Sequence, residues 1–291
     1  MRTPQSAVAR SKGHVRFIIL TTNRTGSTML AASLNAHPEI ICFLEIFNYA
    51  IDFIGYGVPG YDGKDADDHA LRDRDRNAFL RQRIFGDHPE AIHAVGFKLH
   101  YEHIWQVPDV LEWLLAQKNL RVIHLRRRNL LRSRVSQRIA EMTHFFGEAR
   151  PQPLTDLLTP AKALKALRHP ARATKALRNV LSPKLPGPQA QREPITLSVD
   201  ECKFYFAWVE ENAAQYGSAF GDHPVLTIYY EDLVANRETV LHELQMFLGL
   251  KPRPLRVATR QQNPEPLGEL VANYDELREA FRDTEYAVFF D

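Results

Sequence analysis

The stretch from Phe17 to Leu34, FIILTTNRTGSTMLAASL, constrains the fold more than any other part of the chain. An apolar run passes into hydroxylated residues around one glycine and then into an apolar helical pattern. A run of this kind fits a strand buried on both faces of a parallel sheet, here ending near Leu20. Thr21 to Gly26 then make the turn, and Ser27 to Leu34 begin a helix. The free N–H groups and positive dipole end of such a helix face an anion, so the unit reads as a phosphate cradle. Arg24, Thr25, Ser27 and Thr28 add side-chain donors beside Gly26. The loop lacks the G-x-x-x-x-G-K-[ST] pattern of nucleotide triphosphatases. With no lysine to reach a γ-phosphate, the expected ligand is a nucleotide that transfers some other group.

A second basic feature follows the apolar run LRVIHL, Leu120 to Leu125: Arg126, Arg127 and Arg128 are adjacent, and Ser136 lies two helical turns beyond Arg128. Three neighbouring guanidinium groups repel one another, and cations at a helix start oppose its dipole, so an anion between them relieves both. In a parallel sheet the C-terminal edge of this strand can lie beside the first cradle, on the side where ligands bind. Two anion sites on one edge suit a nucleotide with phosphates at both ends.

The remaining organisation is α/β. Ile41 to Asn48, ICFLEIFN, reads as a short strand running into a loop that carries Glu45. His37 and Pro38 stop the preceding helix. A polar helix is expected from about His69 to Ile84, a strand at Ala91 to Tyr101, and an amphipathic helix at Asp109 to Gln117. A helix takes over near Leu130, a long helix resumes at Val199 with Phe204, Trp208 and Phe220 on its apolar positions, and Val225 to Leu233 reads as a further strand. ETVLHELQMFLGL is a helix closed by Gly249. Strands alternating with helices predict a P-loop-like three-layer fold, with a central, mostly parallel sheet flanked by helices. Residues 1–14 are expected as a flexible leader and 15–291 as one domain. A Pro/Ala-rich insertion at 147–194 has basic residues but no acid between Pro160 and Arg192. It reads as a candidate lid, a membrane-surface contact through residues 160–192, or a solvated face.

Composition excludes several classes. A formal net charge of +2 over 291 residues argues against a dedicated nucleic-acid binder. Cys42 and Cys202 are the only cysteines and lie far apart in sequence, which argues against a disulfide framework, and with no Cys/His ligand cluster a structural zinc site is not expected. The basic, polar N-terminus has no apolar core, and no apolar stretch approaches the ~20 residues needed to span a bilayer. A cytoplasmic protein is expected.

R-T-G-S-T after a strand, A-H-P-E-I, then L-R-R-R-N-x₆-S, Y-Y-E-D-L and F-L-G-L, taken in order, resemble the sulfotransferases that use 3′-phosphoadenosine 5′-phosphosulfate (PAPS), closest to the bacterial nodulation-factor and trehalose type. GFKLHY at Gly96 to Tyr101 and RQQNPEPLGELVANYDEL near the C-terminus add to the likeness. The resemblance implies that Arg24, Thr25, Gly26, Ser27 and Thr28 hold the 5′-phosphosulfate, and that Arg128, or Arg127 if the register is one residue off, holds the 3′-phosphate with Ser136. Arg260 and Gln261 would close over the nucleotide, and no metal would be needed. It further implies a carbohydrate, glycolipid or small-molecule acceptor.

Such a transfer needs donors on the sulfonate and one base near the acceptor hydroxyl. The resemblance makes Glu45 the candidate base, since it matches the glutamate that follows the first helix in the nodulation-factor-like group. Its apolar neighbours Phe43, Leu44, Ile46 and Phe47 are expected to raise its pKa. His100 competes for the role. Lys98, inside an apparent core strand, requires an anionic partner, either a structural acid such as Asp232 or a group at the active site. The rival readings are a P-loop kinase and a non-catalytic nucleotide or polyanion binder.

Overall fold

The computed structural model describes residues 13–50, 54, 58, 63–143, 193–255 and 262–290. Residues 1–12 of the leader, 147–192 of the basic insertion, Arg260 and Gln261 lie outside the described residues.

Five strands form one sheet: β1 (Val15–Thr21), β2 (Ile40–Glu45), β3 (Ala94–His100), β4 (Arg121–Arg126) and β5 (Val225–Tyr229). All four pairings are parallel and the order is β2-β3-β1-β4-β5, so β1, with its cradle, runs down the middle. The apolar run of β1 has the burial expected of that place: Phe17, Ile18, Ile19 and Leu20 are fully buried. Strand alternation sends Phe17 and Ile19 to one face and Ile18 and Leu20 to the other.

Helices cover both faces. On the first, Leu30, Ala31 and Leu34 of α1 (Ser27–Asn35) pack with Val240, Leu241 and Leu244. On the second lie α2 (Ala66–Arg74), α3 (Arg76–Phe79), a π-helical turn at Leu80–Ile84, α4 (Tyr101–Ile104) and α5 (Pro108–Ala116). A third cluster joins α6 (Leu130–Thr143) and α7 (Val199–Ala219) to the C-terminal aromatics Phe281, Phe289 and Phe290. Among the described residues no helix is long and apolar enough to cross a membrane.

Three expectations about elements need correction. The polar helix predicted near residues 69–84 is broken at Asp75, whose carboxylate accepts the Ala78 N–H at 2.7 Å and so starts α3 as an N-cap. The last strand ends at Tyr229 rather than Leu233. Tyr230–Ala235 is α8, with Glu231 and Asp232 in its first turn, where carboxylates favour a helix; α9 (Arg237–Phe247) follows and ends before Gly249 at φ 76°. Phe204 is 73% exposed, while Tyr205, Phe206 and Val209 carry the buried face of α7.

Candidate functional site

The C-terminal ends of β1, β3 and β4 gather the chemistry-bearing residues on one edge. The turn after β1 is shaped from within: Thr21 and Thr25 share a 2.6 Å hydrogen bond, and Thr25 Oγ1 donates to the Thr22 carbonyl at 2.8 Å. The Thr25 hydroxyl therefore builds the loop. Glu102, on α4, accepts from Thr22 Oγ1 at 2.5 Å and from the Asn23 N–H at 3.1 Å, fixing the loop against β3. Burial raises the Glu102 pKa. Arg24 and Gly26 take positive φ values, 61° and 82°. Gly26 is required twice over, since a Cβ there would also lie 2.5 Å from the Tyr230 ring. α1 starts directly after it with no side-chain cap and no acid in its first turn, leaving its N-terminal N–H groups suited to an anion.

On the β4 side the three arginines separate. Arg127 packs over the Tyr230 ring at 4.5 Å and donates to the Arg24 carbonyl at 2.9 Å. Burial lowers its pKa, and among the described residues no carboxylate pairs with it. Arg128 is half exposed and forks onto Asp232 with two 2.8 Å hydrogen bonds. Glu231 accepts the N–H groups of Arg128 and Asn129, so the Glu-Asp pair of α8 pins the entry to α6. Ser136 Oγ accepts from Arg24 Nε at 3.1 Å and from Asn263 Nδ2 at 3.3 Å. Arg24 also donates to Gln262 Oε1.

The third group depends on an irregularity. The β2–β3 register pairs Phe43 with Phe97 and then, across a bulge, Glu45 with Lys98. The bulge skips Leu44 and places Glu45 opposite the lysine. Lys98 Nζ donates to Glu45 Oε1 at 2.9 Å and to Thr28 Oγ1 at 3.2 Å, while Asn48 Nδ2 donates to Glu45 Oε2 at 2.8 Å. Lys98 thus finds its anion at the site, and Asp232 belongs to Arg128.

The expected rise of the Glu45 pKa is not found. Burial does push it up, but His100, the Lys98 ammonium and the hydrogen bonds from Lys98 and Asn48 together hold it well below the usual carboxylate range. His100 Nε2 is 3.8 Å from Glu45 Oε1, and among the described residues neither ring nitrogen has a hydrogen-bond partner. Burial lowers the His100 pKa to about 3, so its imidazole is neutral.

The family model described as Sulfotransferase family matches residues 16–254, a span containing the cradle, the Arg-rich turn and Glu45. The chain belongs to the sulfotransferase family. It is 27% identical over 282 residues to Nodulation protein H of Rhizobium tropici, covering 94% of this chain and 92% of that protein. Its identity to Nodulation protein H of Rhizobium meliloti (strain 1021) is also 27%, with 94% of both chains covered. Among solved structures it is similar to the sulfotransferase from Alicyclobacillus acidocaldarius, at a TM-score of 0.44, 16% identity and coverage of 94% and 92%.

Within this sulfotransferase, Arg24, Gly26, Ser27, Thr28, Arg127 and Ser136 converge on one edge with Lys98, Glu45 and His100, while Arg128 faces α8. Sequence reasoning missed Glu102, Gln262 and Asn263. The last two directly follow Gln261 in the RQQNP run, so that run was the signal for them. Glu102 carried no signal, because an acid beside an anion cradle is legible only once its hydrogen bonds to Thr22 and Asn23 are known.

Proposed function

We propose that this sulfotransferase moves the sulfonate of PAPS onto a hydroxyl, with an amine as the lesser alternative, of a carbohydrate, glycolipid or small-molecule acceptor. The observation that carries this reading is the position of Lys98, which hydrogen-bonds the cradle through Thr28 and the candidate base through Glu45. The residues present suit the donor. The uncapped first turn of α1, Ser27 and Thr28 offer donors for the phosphosulfate, and Arg127, half-buried and without a carboxylate partner among the described residues, offers a cation for a second phosphate near Ser136.

PAPS supplies a sulfonate on a bridging oxygen, and adenosine 3′,5′-bisphosphate is the leaving group. The acceptor oxygen forms the new O–S bond as the S–O bond to phosphate breaks, and Glu45 takes the hydroxyl proton. Lys98 stabilises the charge that grows on the departing oxygen. As its ammonium is drawn that way its hold on Glu45 weakens, which raises the proton affinity of the carboxylate when the proton must be accepted. His100 is the second reading for the base, favoured by its two unpartnered ring nitrogens.

Transfer of labelled sulfonate from PAPS to a panel of sugar, glycolipid and phenolic acceptors, with a chelator present, tests the reading. Transfer to at least one hydroxyl acceptor is expected. Transfer of phosphate from ATP with magnesium, and none of sulfonate, would revive the kinase alternative.

A further inference from the structure

We propose that Glu45, His100 and His103 form a binding site for a divalent transition-metal ion, with Zn²⁺ as the ion of best-matched chemistry, and that its occupation silences sulfonate transfer. One ligand atom from each residue lies within 4.8 Å of the other two. The fold produces this grouping from separate parts: the β2 bulge turns Glu45 toward β3, His100 closes β3, and His103 follows on the first turn of α4. The two imidazole rings stack with centroids 5.2 Å apart and planes 15° apart.

A second observation points to a ligand. His100 is 1% exposed, and neither of its ring nitrogens has a hydrogen-bond partner among the described residues. Buried polar groups are normally satisfied, and a metal ion bound between two imidazoles and a carboxylate would satisfy this one. Two nitrogen ligands and one oxygen match the preferences of zinc, with water as the fourth ligand on the side where Glu45 is 15% exposed. The sequence shows no Cys/His ligand cluster because the grouping arises only in the fold, where Glu45 of β2 meets His100 of β3 and His103 of α4.

Lys98 opposes the ion, since its ammonium already holds Glu45 Oε1. Its contact with Thr28 gives it an alternative partner, so the ion and the Lys98–Glu45 pair compete. The site is therefore exchangeable. The consequence follows from which atoms are used: the metal would occupy the carboxylate and an imidazole nitrogen of His100, the two groups able to take the acceptor proton. The inhibitory part rests on the proposed transfer reaction, whereas the binding part does not.

The test titrates the full-length apoprotein with Zn²⁺ against a chromogenic chelator, and in parallel with Co²⁺, whose visible d–d absorption reports ligation. The His103→Gln and His103→Ala variants are compared with the parent, with circular dichroism as the folding check. We expect one zinc ion whose affinity falls at least about tenfold in both variants, inhibition of the parent that a chelator reverses, and unchanged basal transfer by the His103→Gln protein with loss of zinc inhibition. Equal affinity in folded parent and variants, or no protein-bound Co²⁺ spectrum, overturns the site. His103-dependent binding with no inhibition overturns the silencing and leaves the site. If the chain transfers no sulfonate at all, the binding measurement still decides the site, so failure of the transfer reading remains separate.

Discussion

Lys98 and Glu45 face each other across the β2–β3 pair with Nζ 2.9 Å from Oε1, and the lysine side chain is 1% exposed. An ammonium this deeply buried requires an anion, and the bulge in β2 supplies it. Because the same ammonium donates to Thr28, the pair couples the acceptor side of the site to the first turn of α1.

Lys98→Met keeps much of the side chain's bulk and removes the charge. Transfer should fall about 100-fold in kcat, the scale for losing one preorganised electrostatic donor, with a smaller change in KM for PAPS. The Glu45 pKa should rise once the ammonium is gone, so the acid limb of kcat moves to higher pH. Steady-state kinetics from about pH 4 to pH 7, spanning the ordinary carboxylate value near 4.3, reads both effects. An unchanged kcat would place Lys98 outside the chemistry.

Glu45→Gln tests the same pair through stability. The folded-state pKa of Glu45 lies below its unfolded value, so its ionisation stabilises the native state above the unfolded pKa, and that contribution is lost as pH falls through the folded value. The variant should be less stable by about 3 kcal/mol at neutral pH, because the buried Lys98 loses its counter-charge. The gap should narrow below about pH 4. Denaturant unfolding at several pH values measures it, and a gap that does not depend on pH would show that the charge is not what matters.

Arg127 and Arg128 should differ sharply. Arg127→Ala removes a half-buried guanidinium that has no carboxylate partner among the described residues, and donor affinity should drop by about 10- to 100-fold, as for a hydrogen bond to a charged group. Arg128→Ala leaves Asp232 exposed and should change donor affinity little, since a solvent-exposed ion pair adds little to stability or binding. Calorimetric titration with adenosine 3′,5′-bisphosphate reads both, and the opposite ranking would return the phosphate contact to Arg128.

Gly26→Ala forces a side chain into left-handed backbone at a cost of about 1–2 kcal/mol and into the Tyr230 ring. A lower melting temperature together with weakened nucleotide binding is expected. Normal binding would mean that the turn can rebuild itself.

How much of this was legible in the sequence follows the range of the interactions. The β1–α1 cradle is local, and its strand, turn and helix were readable from apolar patterning and one glycine. The Arg-rich turn and Ser136 were readable as a spacing, but which arginine is free depends on Asp232 and Glu231, more than 100 positions away. The same acids ended β5 at Tyr229, where the continuing apolar pattern had suggested more strand. The state of Glu45 was misread because its sequence neighbours are apolar, whereas its spatial neighbours are Lys98 and Asn48. A bulge leaves no mark in the alternation of β2, so the register that pairs Glu45 with Lys98 could not be read from it.

Thermal denaturation of the purified chain with adenosine 3′,5′-bisphosphate, compared with ATP and NADP at equal concentration, tests the central claim most directly. A ligand that binds only the native state at 100 times its Kd stabilises it by about 2.7 kcal/mol. A clear rise in Tm with the bisphosphate is expected in the absence of added metal, and a smaller rise with ATP or NADP. No shift with the bisphosphate, or a larger one with magnesium and ATP, would contradict it.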